Sequence, residues 1–218
     1  MGPEAVGIPF GRILTSHLRG ASAAFRVGAE EIPPFGSLVR AAIGNRGGGD
    51  IFGLVADIRM EEDGFLRQLA SGAELDPEII LDSRENRNVP IVLTILFVGS
   101  RSDGRVSHLL PPRPPLTLDE LYVCCDAEIV EFCGGGRFGY FRHLLRGGDY
   151  PVEELVAAHF REAIRAHAAV FGSAEDWERR AVGEMMNLMN GDFDRLYDVF
   201  GALSDLDPAA GGERQGRK

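Results

Sequence analysis

A short proline-rich segment, Pro111-Pro-Arg-Pro-Pro115, constrains the fold of this chain more than any other feature of its sequence. Proline has no backbone N–H to donate and its ring fixes φ, so neither a helix interior nor a central strand can contain these residues. We expect an extended connector of the polyproline II type. The segment therefore separates two parts of the chain that have different hydrophobic patterns.

The part before this segment has the pattern of short strands joined by glycine-containing turns. Residues 7–59 contain several short apolar stretches, and Ile51–Met60 alternates between two faces, as a half-buried strand does. Phe52, Leu54 and Ala56 fall on one face, and Ile51, Val55 and Asp57 fall on the other. Strands at this spacing predict a small barrel or sandwich.

The strongest predicted strand is Val89–Gly99, and Asp103-Gly104 after it is typical of a hairpin turn. We expect Val106–Leu110 to pair back on that strand, and we expect a short helix over Glu61–Ala70. The fold class that follows is α+β, with a small N-terminal β-barrel over residues 1–118 and a helical region behind it.

Residues 119–150 are predicted to be connecting strands and a glycine-rich loop. The apolar stretch Leu121–Phe132 precedes Gly134-Gly-Gly136, and the three cysteines Cys124, Cys125 and Cys133 lie in what we predict to be a strand pair. Adjacent residues on a strand point to opposite faces, so Cys124 and Cys125 do not suit a single zinc ion. We expect small buried hydrophobic residues and no metal site.

Residues 151–206 are predicted to be helical. Apolar residues recur every three to four positions in Val152–Phe171, and further helices are expected over Ala174–Asn190 and Phe193–Leu203. His159 and His167 are two turns apart on the first helix, too far for one metal ion. A pairing of Glu162 with His159 is expected on the helix surface. Residues 207–218 are predicted to be a flexible tail.

Charge and cysteine content restrict the class of protein. The net charge is −10, which argues against non-specific nucleic-acid binding by the whole chain. Three cysteines, two of them adjacent, do not resemble a secreted disulfide framework. No apolar run reaches the roughly 18 residues of a membrane helix. Because no signal peptide is visible either, we expect a cytoplasmic protein without membrane association.

Two surfaces are candidates for binding. Residues 84–113 have a local excess of positive charge, and their arginines are candidate nucleic-acid contacts. These are Arg84, Arg87, Arg101, Arg105 and Arg113. A methionine cluster of Met185, Met186 and Met189 is the second candidate; it is either helix core or a partner surface, which leaves association with a partner or into a homo-oligomer open.

Sequence motifs for catalysis and cofactor binding are incomplete or missing. The glycines of the tail, Gly211 and Gly216, have Walker A spacing, but Arg217 stands at the lysine position. Neither a nucleophile-elbow motif nor a zinc-protease motif nor a dinucleotide fingerprint is present. We therefore expect no catalytic residue, no cofactor and no enzymatic activity, including no ATP hydrolysis.

The first part of the chain resembles the HAS-barrel domain of HerA-type DNA-translocating ATPases. The resembling residues are Gly11-Arg-Ile-Leu14, Phe25-Arg-Val27, Pro34-Phe-Gly-Ser-Leu-Val39 and Ile51-Phe-Gly-Leu-Val-Ala-Asp-Ile58. Residues 82–115 also resemble the barrel region of bacterial HerA-like proteins, so the resemblance covers about residues 7–118. A HerA ATPase continues into a RecA-like motor, whereas helices follow here. The resemblance thus implies a barrel without the motor.

In that family the barrel serves ring assembly and docking of the nuclease NurA. The resemblance therefore implies a non-catalytic barrel protein that docks to a HerA-like ATPase or a NurA-like nuclease in DNA processing. The alternative is direct nucleic-acid binding through the arginines of residues 84–113. The two hypotheses predict a different salt dependence of binding, because phosphate contacts weaken steeply with salt and apolar docking does not.

Overall fold

The computed structural model describes residues 9–25, 32–43, 49–60, 91–135, 138–146 and 148–205, and these form a β-barrel with five helices. The strands are β1 (Pro9–His17), β2 (Gly20–Phe25), β3 (Leu38–Ala42), β4 (Asp50–Met60), β5 (Ile91–Ser102), β6 (Arg105–Ser107) and β7 (Glu120–Val123). The helices are α1 (Asp126–Gly134), α2 (Phe141–Leu145), α3 (Val152–Phe171), α4 (Glu175–Leu188) and α5 (Phe193–Ser204).

The barrel closes through the pairing of β2 with β5. Its strand order is β2-β1-β7-β3-β4-β5, all neighbours are antiparallel, and β6 extends the sheet beyond β5 as a hairpin. At the hairpin turn Asp103 and Gly104 have φ of 51° and 70°, as a two-residue turn of the expected type requires. The predicted barrel, hairpin and α+β class are confirmed.

The predicted barrel boundary at residue 118 is wrong, because β7 lies beyond it and pairs with both β1 and β3. The expected strand over Leu121–Phe132 is therefore only partly present. It is β7 as far as Val123, and α1 begins at Asp126, where the carboxylate of Glu128 accepts the backbone N–H of Cys125 at 3.0 Å. This capping contact starts a helix. Cys133 accordingly lies on α1 and not on a strand.

The barrel wall separates two hydrophobic cores. The alternation predicted for β4 is confirmed, since Ile51 and Val55 point into the barrel while Phe52 and Leu54 point outward under the helices. Small side chains on β2 and β3 fill the rest of the barrel interior, which is narrow at this strand number. These include Ala21, Ala23 and Ala41, with Ile13, Leu93, Ile95, Phe97 and Leu121 around them.

The helices pack on the outer face of β3, β4 and β5. The helix predicted over Val152–Phe171 is confirmed with the same limits, and it ends at Gly172, whose φ of 78° suits a left-handed cap. The helix expected over Phe193–Leu203 is confirmed as α5, and Asp192 caps it by accepting the backbone N–H of Arg195. The second predicted helix corresponds to α4.

The proline-rich segment Pro111–Pro115 contains neither helix nor strand, as expected. None of the helices that the structure describes is both long and apolar enough to span a lipid bilayer. The predicted helix Glu61–Ala70 and the tail 207–218 lie outside the described residues.

Candidate partner-binding surface

Arg101, a predicted nucleic-acid contact, is engaged by carboxylates. Its guanidinium lies 2.5 Å from Asp50 and 2.8 Å from Glu131, and it packs over the ring of Phe52. Burial lowers the pKa of Arg101, whereas the neighbouring carboxylates of Asp50 and Glu131 raise it. The net result is a pKa above the ordinary arginine value. Its charge therefore helps to hold α1 against β4 and β5, and the predicted contact of Arg101 with nucleic acid stays a prediction.

A second arginine, Arg40, belongs to the same ionic cluster. Its Nε lies 2.6 Å from Glu128 and its Nη1 lies 3.2 Å from Asp50, with all three side chains at 11–13% exposure. The Arg40 guanidinium also stacks on the ring of Tyr122 at 4.7 Å. Because Glu128 is on α1 and Tyr122 is on β7, this cluster joins the first helix to the barrel wall.

Two of the remaining arginines of the predicted patch lie in described parts of the chain. Arg105 on β6 and Arg113 in the proline-rich segment are exposed, and neither has an ion-pair partner among the described residues. Arg84 and Arg87 lie outside the described residues. Among the described residues, Arg105 and Arg113 are thus the exposed members of the predicted nucleic-acid surface, which stays a prediction.

The methionine cluster is mainly core. Met185 is 0% exposed and Met189 is 4% exposed, and both belong to the hydrophobic cluster between the helices and the barrel. Met186 is 50% exposed. The cluster was predicted to be either helix core or a partner surface. Met185 and Met189 belong to the core, and Met186 faces outward.

Among the described residues of the helical region, the two most exposed large apolar side chains are on α5. Phe193 is 75% exposed and Tyr197 is 81% exposed, and they are four residues apart on one helix face. Leu188 at the end of α4 is 42% exposed. The opposite face of α5 packs into the core through Val199, Leu196 and Leu203. This helix is therefore apolar on two faces, of which the core uses one.

Sequence reasoning did not identify Phe193 and Tyr197 as a surface. The pattern of α5 does indicate an additional apolar surface, because its apolar residues cover more of the helix circumference than one buried stripe needs. The sequence alone does not show which of the two faces is covered. The structure shows which face is covered, because Val199 is 0% exposed.

The barrel also has an exposed apolar patch. Leu116 and Leu118 are 71% and 62% exposed, and Leu14 on β1 is 42% exposed. The connecting backbone is fixed to β1, because the N–H of Leu118 donates to the carbonyl of Ile13 at 2.8 Å. We name Leu14, Leu116 and Leu118 the barrel patch, and Leu188, Phe193 and Tyr197 the helical patch.

Barrel closure limits docking by strand addition. Each of the six barrel strands has a neighbour on both sides, so β6 is the strand among those described that has a free edge. At three residues, Arg105–Ser107, it is too short to be a strong template for an added strand. Side-chain patches are consequently the better-supported docking surfaces.

A Cys–His–Tyr contact inside the helical core resembles a nucleophile beside its base but is buried. His159 Nε2 lies 3.6 Å from the Cys133 sulfur and 3.1 Å from the Tyr140 hydroxyl, and all three residues are 0% exposed. Burial raises the pKa of Cys133 to about 12 and lowers the pKa of His159 to about 4. A protonated thiol beside a neutral imidazole is a packing contact, since nucleophilic attack requires the thiolate.

The predicted surface pairing of Glu162 with His159 is wrong. His159 is fully buried, and the Glu162 carboxylate accepts the backbone N–H of Leu38 at 2.7 Å. Glu162 therefore connects α3 to β3, because the face of α3 that carries it packs on the barrel.

No protein-family model and no curated protein matches this chain.

Proposed function

We propose that this chain is a non-catalytic barrel protein that binds a protein partner in DNA processing, and that the partner is a HerA-like ATPase or a NurA-like nuclease. The choice of partner rests on the resemblance of residues 7–118 to the HAS-barrel domain. The closed barrel with helices on one outer face is compatible with that resemblance.

The observation that carries the proposal is the helical patch. Two aromatic side chains four residues apart, Phe193 and Tyr197, are each at least 75% exposed on a helix that is anchored by its other face. Aromatic residues in this arrangement supply most of the binding energy of many protein interfaces. Exposed apolar clusters of this kind mark interaction sites in proteins that otherwise cover their apolar surface.

The barrel patch is the second part of the proposed interface. Docking through Leu116 and Leu118 uses the barrel, as in the family that the sequence resembles, and leaves the ionic cluster of Arg40 and Arg101 intact. The rigid backbone beside β1 favours binding because little conformational entropy is lost there.

Binding to a purified HerA-like ATPase or NurA-like nuclease tests the proposal by titration calorimetry. The double variant Phe193→Ser/Tyr197→Ser is expected to weaken binding by at least about 30-fold, which is the loss expected from a single hot-spot residue worth about 2 kcal/mol. Leu109→Ser is the matched control, because Leu109 is 64% exposed but lies outside both patches. Light scattering of the same samples shows whether self-association uses the helical patch.

The proposal fails if the double variant and Leu116→Ser/Leu118→Ser both bind the partner as the unsubstituted protein does. Direct nucleic-acid binding is the rival function. It predicts that an oligonucleotide binds with an affinity that falls steeply between low and moderate salt, and that Arg105→Gln/Arg113→Gln reduces this salt dependence. An affinity for the protein partner that hardly changes with salt favours docking by apolar patches.

A further inference from the structure

A cavity of about 450 Å³ lies where α1, the end of α3 and the start of α4 meet. It is separate from the helical patch and from the barrel patch. Val130 and Gly134 line it from α1, His167 and Phe171 line it from α3, and Trp177 lines it from α4. Ser173, Asp176 and Arg180 form its polar side, where the Arg180 guanidinium is paired with the Asp176 carboxylate at 2.9 Å.

His167 lines this cavity and carries a hydrogen-bond acceptor that has no partner among the described residues. The residue is 3% exposed, and its Nδ1 lies 2.8 Å from the backbone carbonyl of Ala163. A carbonyl accepts, so Nδ1 carries the proton, and burial lowers the pKa of the ring, which keeps it neutral. Nε2 is then a lone-pair acceptor, and it has no hydrogen-bond partner among the residues that the structure describes.

The aromatic walls are held in place without using this acceptor. The indole N–H of Trp177 donates to the carbonyl of Cys133 at 3.1 Å, so its donor is occupied by the end of α1. The Trp177 ring lies 5.1 Å from the His167 ring, and Phe171, 68% exposed, lies 6.2 Å from His167. The cavity thus has aromatic walls, one exposed aromatic side chain and one buried acceptor.

A single bridging water does not account for this geometry. A water molecule occupies about 30 Å³ in the liquid and is held in proteins by about three polar partners. The cavity is more than ten times larger, and its walls at Val130, Phe171 and Trp177 are apolar. A ligand with an apolar planar body and one donor group fits both features.

We propose that this cavity, which we name the His167 pocket, binds a planar aromatic group that donates one O–H or N–H hydrogen bond to Nε2 of His167. The phenol of tyrosine and the indole of tryptophan have this chemistry, either in a free small molecule or as a side chain of a protein partner. The binding of an aromatic group does not depend on the proposed function, and only the assignment of that group to a partner side chain rests on it.

A matched pair of probes tests the hydrogen bond. p-Cresol carries the O–H donor, and 4-methylanisole has the same ring with the donor replaced by a methyl ether. In the full chain, p-cresol is expected to bind about fivefold more tightly than 4-methylanisole, which is the effect of one neutral hydrogen bond. In His167→Phe the two probes are expected to bind equally. Ligand-detected NMR titration measures both affinities.

Gly134→Ala provides a steric test without disturbing the fold. A Cβ at this position would lie 3.7 Å from His167 Nε2, an ordinary van der Waals distance, so the methyl group occupies the place of the ligand donor. We expect p-cresol binding to weaken at least tenfold. Gly135→Ala is the control, since its Cβ would meet the carbonyl of Glu131 at 3.7 Å and the residue does not line the pocket.

Failure of p-cresol to bind, or equal affinity for the two probes in the unsubstituted protein, overturns the proposal. Equal weakening by Gly134→Ala and Gly135→Ala also overturns it, because binding would then lie elsewhere. If the probe results are as expected, the Gly134→Ala variant also separates the two sources. Weaker binding of the HerA-like ATPase identifies a partner side chain, and unchanged binding identifies a free aromatic molecule.

Discussion

The Glu162 carboxylate on α3 accepts a hydrogen bond from the backbone N–H of Leu38, the first residue of β3, at 2.7 Å. The two residues are 124 positions apart in the sequence, and their contact joins α3, the longest helix that the structure describes, to the barrel wall. Gly36 packs against α3 next to this hydrogen bond, since a Cβ on Gly36 would be 2.5 Å from Cβ of Ala158. The junction between barrel and helices is therefore both hydrogen-bonded and closely packed.

The first prediction concerns the pH dependence of this junction. Burial raises the pKa of Glu162 from 4.5 to about 7, so the folded protein binds the proton of the Glu162 carboxyl more tightly than the unfolded chain does. Its contribution to stability is complete below pH 4.5 and is lost as the pH rises to 7. The free-energy difference between the protein and Glu162→Gln should change in this window by up to about 1.4 kcal/mol per pH unit.

Urea unfolding of both proteins at several pH values measures this difference. The comparison with the variant is necessary because the lowered pKa of His159, about 4, acts in the opposite direction, its stability contribution being lost as the pH falls from 6.5. A difference that stays constant between pH 4.5 and 7 contradicts the prediction.

The second prediction concerns the packing of Gly36 on α3. Gly36 has φ of 86° and no room for a Cβ, whereas Gly104 has φ of 70° and open space around it. Gly104→Ala therefore measures the backbone strain alone, about 1 kcal/mol. Gly36→Ala adds a clash with Ala158 and should cost about 3 kcal/mol or more. Equal losses in thermal or urea unfolding would show that α3 can move away from the loop.

The third prediction separates the buried and exposed methionines. Met185→Asp places an unpaired charge in the core and should cost more than about 4 kcal/mol, enough to unfold many domains. Met186→Asp is the matched control on the next residue, which is half exposed, and should change stability by less than about 0.5 kcal/mol. Circular dichroism melting curves measure both, and similar curves for the two variants would place Met185 at the surface.

The fourth prediction concerns the ionic cluster between the barrel and α1. Arg40→Met removes the 2.6 Å partner of Glu128 and leaves Asp50 and Glu128 paired with Arg101, so it should cost about 1.5–3 kcal/mol. Arg12→Met is the control, since the Arg12–Glu120 pair is exposed and contributes at most about 1 kcal/mol. Denaturant unfolding at low and high salt checks both values; a stability loss below 1 kcal/mol for Arg40→Met is incompatible with the cluster joining α1 to the barrel.

The elements that sequence reasoning predicted correctly depend on contacts between near neighbours. The limits of α3 follow from apolar residues three and four positions apart, and the turn at Asp103-Gly104 follows from two residues that tolerate positive φ. The two faces of β4 follow from the alternation of side chains along a strand. In each case the physical cause lies within a few residues.

The features that were missed or wrongly predicted are those that local patterns leave open. Cys133 was placed on a strand, although α1 begins at the local Glu128–Cys125 contact, because a short apolar stretch fits either structure. The ion pairs of Arg101 were not predicted, because its partner Asp50 lies 51 residues away in sequence. Local charge excess does not reveal such a partner.

The sequence by itself determined that short strands precede amphipathic helices, since hydrophobic period and turn residues act within one element. Tertiary structure decided that β7 completes the barrel between β1 and β3, and that Met185 is core while Phe193 and Tyr197 face outward. The physical reason is that burial is a property of two packed surfaces. The sequence of a helix shows its apolar face, which is one of these two surfaces. The position of α5 against α3 determines which part of that face is covered.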